Sequence, residues 1–158
     1  MARTKLHREI EQWQAGSEGF RERGIILSAV ADRWVELIFL MAGPAPTVGA
    51  CVGIDYTNYD IEAPSVTFLD PLTRQPTTPT SPPMQLDGTA FRELLRPHPL
   101  WKRQFLCLPG TFEYHTHPQH DGNPWMGQRR LNGEGRLDVL TNRSGTPAPR
   151  TARSPWHQ

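Results

Sequence analysis

The chain lacks any apolar run that could cross a bilayer: its longest, Leu37-Ile-Phe-Leu-Met-Ala42, falls far short of the ~20 residues that a spanning helix needs. The opening Met1-Ala-Arg-Thr-Lys-Leu-His-Arg-Glu9 is charged and lacks the apolar centre of a secretory signal, so the expected location is cytoplasmic. An excess of either charge is also missing. Lys and Arg number 17 against 16 Asp and Glu, a net charge of +1. Without a basic stripe there is no electrostatic case for nucleic acid or an anionic membrane as partner. Cysteine is scarce, with two among 158 residues that could form at most one disulfide. In a reducing cytosol the two are expected as free thiols or metal ligands.

Proline, by contrast, is abundant, and it divides the chain. A length of 158 residues suits one domain, expected over residues 1–140, with a disordered tail over 141–158 that is rich in Pro, Arg, Ser, Thr and Gly. Leu6, Ile10 and Trp13 recur at helical spacing, so residues 4–15 read as an amphipathic helix that Gly16 ends. The outward side of that helix is expected to carry Arg3, Lys5, Arg8 and Glu9. Ile25–Val30 and Trp34–Met41 are rich in β-branched and aromatic residues around Ala31-Asp-Arg33, the pattern of a hairpin. Val48–Asp55 and Ser65–Leu69 add two further strands. Pro71, Pro76, Pro79, Pro82 and Pro83 then exclude regular structure to about Met84. Ala90–Arg96 offers one or two helical turns, Gln104–Leu108 a strand, and Arg136–Leu140 a last strand or helical turn. The class that results is α+β: a helix, a four-stranded antiparallel meander, a proline-rich loop and a ligand-rich segment.

That segment is Cys107-Leu-Pro-Gly-Thr-Phe-Glu113-Tyr-His115-Thr-His117-Pro-Gln-His120, which holds three of the six histidines and one of the two cysteines. In an extended strand alternate side chains share a face, so Glu113, His115 and His117 would point the same way at roughly 6–7 Å spacing. The reversal at Leu108-Pro-Gly110 can return the Cys107 sulfur to that face. A thiolate, a carboxylate and imidazoles suit zinc and also serve iron. Cys107, Glu113, His115 and His117 are therefore the candidate ligands, with His120, beyond Pro118, as a possible addition. Four protein ligands would make the ion structural; a side chain that turns away would open a catalytic position. The bland alternative is a solvated histidine loop beside a buried thiol.

Two resemblances add to this reading. The helix and meander, with Tyr59-Asp-Ile-Glu-Ala-Pro64-Ser-Val-Thr-Phe68-Leu-Asp-Pro71 leaving the third strand, resemble the ubiquitin-conjugating-enzyme (UBC/RWD) superfamily over about residues 4–72. Cys107, Glu113, His115 and His117 resemble the predicted bacterial metal-binding family named for its Cys-Glu-His-His (CEHH) residues. Together they imply a conjugating-enzyme-like scaffold carrying a divalent metal. They also imply a role as a binding or accessory module in a bacterial ubiquitin-like modification pathway, with a ubiquitin-like protein and its activating enzyme as partners. The sequence departs from active conjugating enzymes in lacking the His-Pro-Asn element before the nucleophile. Its only candidate nucleophile, Cys107, lies thirty-nine positions after Phe68.

Three other readings compete. The first is an active conjugating enzyme that forms a thioester on Cys107. In the second, Gly110-x4-His115-x-His117 resembles the first cupin motif, which implies a metal-dependent oxygenase, although the glutamate here precedes the histidines and a cupin is all-strand. The third takes His115-Thr-His117-Pro as the His-x-His-Pro of zinc deubiquitinating peptidases, whose further ligands have no counterpart near Trp125 and Gln128.

Overall fold

A helix places Leu6, Ile10 and Trp13 on one stripe, because residues three and four apart are neighbours on its surface. The computed structural model describes residues 2–41, 44–78, 95–121, 124–132 and 135–144. In it all three side chains are buried on α1 (Ala2–Ala15). Burying each such side chain is worth roughly 1.5–3 kcal/mol, which is what holds this helix to the sheet. Gly16 ends it, and α2 (Ser17–Glu22) follows, stacking Phe20 on Trp13 with ring centroids 4.6 Å apart. Gly24 turns the chain into the sheet at φ +75, where an added Cβ would lie 2.8 Å from the Leu40 carbonyl oxygen.

Four strands form an antiparallel meander in the order β1 (Ile25–Ala31), β2 (Trp34–Met41), β3 (Thr47–Asp55) and β4 (Ser65–Leu69). Their bounds match the expected strands to within a residue. Alternation decides the buried face: Val35, Leu37 and Phe39 of β2 point into the core, and so do Ala50, Val52 and Ile54 of β3. On the opposite face the Trp34 ring covers Gly53, where a Cβ would come within 1.9 Å of it. The α+β class and the helix-then-meander order are as the sequence implies.

Differences begin after β4. Leu95 and Arg96, expected at the end of a helical turn stopped by Pro97, instead belong to strand β5 (Leu95–Pro97), which pairs antiparallel with β6 (Gln104–Leu106) as a separate two-stranded sheet. The prolines that exclude a helix at Pro97 and Pro99 tolerate a short edge pairing. After a short α3 (Phe112–His115), two helices close the fold, α4 (Trp125–Asn132) and α5 (Leu137–Ser144). The expected domain limit at residue 140 falls inside α5. Thr141, assigned to the tail by composition, is fully buried and accepts a hydrogen bond from Trp13 Nε1 at 3.3 Å. Glu9, expected on the outward side of α1, instead binds the Tyr59 hydroxyl and accepts from the Leu137 N–H at 3.1 Å. Burial pushes its carboxyl upward, and the neighbouring Lys5 pairs with Asp60. Of the proline-rich loop, residues 71–78 are described: Asp70 caps the turn by accepting from the Leu72 and Thr73 N–H groups at 2.9 and 2.7 Å. The remainder of that loop, residues 90–94 of the expected helical turn and residues 145–158 of the tail lie outside the described residues. Among the described residues no helix is long and apolar enough to cross a membrane.

Candidate metal centre

After β6 the chain reaches Cys107 and reverses at Pro109-Gly110, with Gly110 at φ +94. Thr111 then starts a helix. Its hydroxyl donates to the Leu108 carbonyl at 2.9 Å and accepts from the Tyr114 N–H at 3.3 Å, the geometry of an N-cap. The result is α3 (Phe112–His115), followed by a 3-10 turn over Pro118–His120. This overturns the extended conformation on which the shared face of Glu113, His115 and His117 depends. In a helix residues two apart point to different sides, so the three diverge.

Glu113 turns inward to β4. Its carboxylate accepts from the Ser65 hydroxyl and from the Val66 N–H, the latter at 3.1 Å. Burial pushes its carboxyl upward, and those hydrogen bonds work against the shift. His115 points the other way: its Nε2 accepts from the Gly110 N–H at 3.3 Å and its ring meets the Trp125 ring edge-on at 5.5 Å. His117 is buried beside Phe105, and its Nδ1 accepts from the Gln119 N–H at 3.2 Å. His120 stacks on Tyr114 at 3.9 Å and brings its Nε2 to 3.3 Å from Cys107 Sγ.

The structure therefore joins Cys107 to His120, the ligand that the sequence offered only as an addition. Glu113 is committed to the sheet. The His117 and His120 rings lie 5.4 Å apart between centroids. On the far side of His117, at 5.3 Å, is an imidazole that the motif reading missed, His98. It is fully buried, stacks on Trp101 at 4.0 Å and accepts from the Leu100 N–H through Nδ1. Its position between Pro97 and Pro99, ahead of a tryptophan, was the available signal; distance from the dense segment concealed it.

Electrostatically the cluster is a low-charge pocket. Burial lowers the His120 pKa, and His117, Arg96 and His115 add to the effect. Burial also lowers His98, with His117 reinforcing it. Burial raises the Cys107 thiol against the opposing pull of Arg96. A neutral thiol thus faces a neutral imidazole, a donor pair whose chemistry fits a borderline-soft cation. Two donors are in place. Among the described residues no three His, Cys, Asp or Glu side chains are grouped so as to hold an ion, so ion binding here would require a third donor to move. His117 lies beside the pair, its ring 5.4 Å from that of His120, but because its Nδ1 accepts from the Gln119 N–H its proton sits on Nε2, so ligation through Nε2 would require that hydrogen bond to break and the tautomer to switch.

A family model described as Y4jH-like, the Y4jH family, matches residues 1–89 and 83–144. A curated relative from Sinorhizobium fredii (strain NBRC 101917 / NGR234), named "Uncharacterized protein y4jH", is 31% identical over 166 residues, covering 90% of this chain and 80% of its own length.

Proposed function

The chain belongs to the Y4jH-like family, and we propose that it is a metal-binding protein on a ubiquitin-conjugating-enzyme-like scaffold. Its role is that of an accessory or binding module in a bacterial ubiquitin-like modification pathway. The observation that carries the metal reading is the 3.3 Å approach of Cys107 Sγ to His120 Nε2. Cys107 and His120 would hold the ion, with His117 and then His115 completing the set. Glu113 serves as the tie that fixes α3 to β4. Zinc is the preferred metal and iron the second, and a closed set of four would supply structural cross-linking of the β6–α3 segment. The pathway assignment rests on the Tyr59…Pro64-Ser-Val66-Thr-Phe68 resemblance. The helix and four-stranded meander are consistent with that resemblance, which implies a ubiquitin-like protein and its activating enzyme as partners.

The same contact favours one alternative, a Cys107 nucleophile with His120 as its base. The upward shift of the thiol counts against it, since a nucleophilic cysteine is ordinarily held low. The cupin alternative requires an all-strand chain, and an open four-stranded sheet flanked by helices gives it no support.

Loading the full chain with Zn2+ or Co2+ tests the proposal. One ion per chain is expected, with a thiolate-to-cobalt charge-transfer band that disappears in Cys107→Ser and metal binding that is lost in His120→Ala. Glu113→Gln should keep its metal. Retention of the ion in both Cys107→Ser and His120→Ala would overturn the assignment. A Cys107 thioester formed with a ubiquitin-like protein and its activating enzyme would replace it with the conjugating-enzyme alternative.

A further inference from the structure

The outer edge of β4 is nearly, but not fully, consumed by the chain. In an antiparallel pair a residue's N–H and C=O point to the same edge, alternately toward and away from the partner strand. Pro64, Val66 and Phe68 face away from β3. The Pro64 carbonyl accepts from the Phe112 N–H at 2.9 Å, the Val66 N–H donates to Glu113 at 3.1 Å, and the Phe68 carbonyl accepts from the Thr77 N–H at 2.9 Å. Among the described residues the Val66 carbonyl and the Phe68 N–H take no hydrogen bond outside the sheet. They open onto a cavity of about 110 Å³ lined by Val66, Phe68, Thr77, Arg103, Gln104 and Phe105. Gln104 Oε1 is buried there without a partner. Arg103 lies over the Trp101 ring at 5.3 Å and makes no ion pair among the described residues.

From this edge and its lone cation we infer that the cavity takes the carboxyl-terminal residue of an extended peptide. One residue running parallel to β4 satisfies both edge groups, donating its N–H to the Val66 carbonyl and accepting from the Phe68 N–H. It cannot extend onward, because the next acceptor in that register is the Phe68 carbonyl, which Thr77 occupies. The preceding donor, the Val66 N–H, is held by Glu113. A chain that ends here presents a carboxylate, with one oxygen to the Phe68 N–H and the other to the Arg103 guanidinium. Gln104 Oε1 accepts from a peptide N–H. This is strand addition shortened to a single residue, and it uses none of the proposed metal ligands, so the two readings fail independently.

Titration of the full chain with acetyl-Gly-Gly-Gly, followed by amide and guanidinium NMR shifts, tests the inference. Shifts should centre on Phe68 and Arg103, with the carboxyl-terminal amide of the same peptide binding about tenfold more weakly. Arg103→Gln, at an exposed position, should abolish that discrimination while the remaining spectrum stays folded. Equal binding of acid and amide would overturn the inference. So would acetate binding as well as the peptide, or equal binding of an acetyl-Gly-Asp-Gly amide, which would show a site for any carboxylate.

Discussion

Replacing Glu113 with alanine separates its two available roles, metal ligand and structural tie. The carboxylate is buried and bound to the Ser65 hydroxyl and the Val66 N–H. Hydrogen bonds to a charged group contribute about 1.5–3 kcal/mol each, and an orphaned donor costs about 1–3 kcal/mol. Val66 and Ser65 are only half-buried, so the lower part of each range applies. Glu113→Ala should then cost about 3 kcal/mol. Glu113→Gln keeps one acceptor oxygen and loses the other, and should cost about 1–2 kcal/mol. Urea unfolding with a chelator present is the assay, because it removes any contribution from a bound ion. The cycle with Ser65→Ala should show a coupling of about 1–2 kcal/mol. A chelated Glu113→Ala protein within 0.5 kcal/mol of the parent would refute the tie and return Glu113 to the ligand set.

Stability should also depend on pH through the buried imidazoles. His98 and His120 have lowered pKa values, so the unfolded chain binds more protons below about pH 6.5; the stability present above that value is lost as pH falls toward the folded values. Glu9 and Glu113 have raised values and act oppositely, adding stability in acid that is lost as pH rises through their range. The expected result is a urea midpoint that drops between about pH 7 and 5.5, with a shallower slope in His120→Asn. Gly53→Ala drives a methyl into the Trp34 ring and should destabilise by about 1–3 kcal/mol in urea, with altered Trp34 fluorescence. Thr141→Val keeps the volume but removes the acceptor of Trp13 Nε1, costing about 1–2 kcal/mol by thermal or urea melting; an unchanged midpoint would refute the closure of α1 by α5.

Local pattern determined much of this protein before any coordinates. Spacing three and four apart along Leu6, Ile10 and Trp13, the β-branched and aromatic richness of Trp34–Met41, and alternation of Val66 and Phe68 with Ser65 and Thr67 are written in adjacent residues. The helix, the four strands and the α+β class follow from them. Composition likewise marked Cys107 to His120 as the segment with the chemistry. What it could not decide was which way those side chains face. The Thr111 cap turned an expected strand into α3, and one change of period sent Glu113 to β4, His115 to Trp125, and left His120 as the partner of Cys107. His98 and Thr141 were invisible for a related reason. Each is defined by a contact across many residues, with His117 in one case and Trp13 in the other. Periodicity reports on neighbours in the chain; burial and ligand geometry depend on neighbours in space, and only the packed tertiary structure selects those.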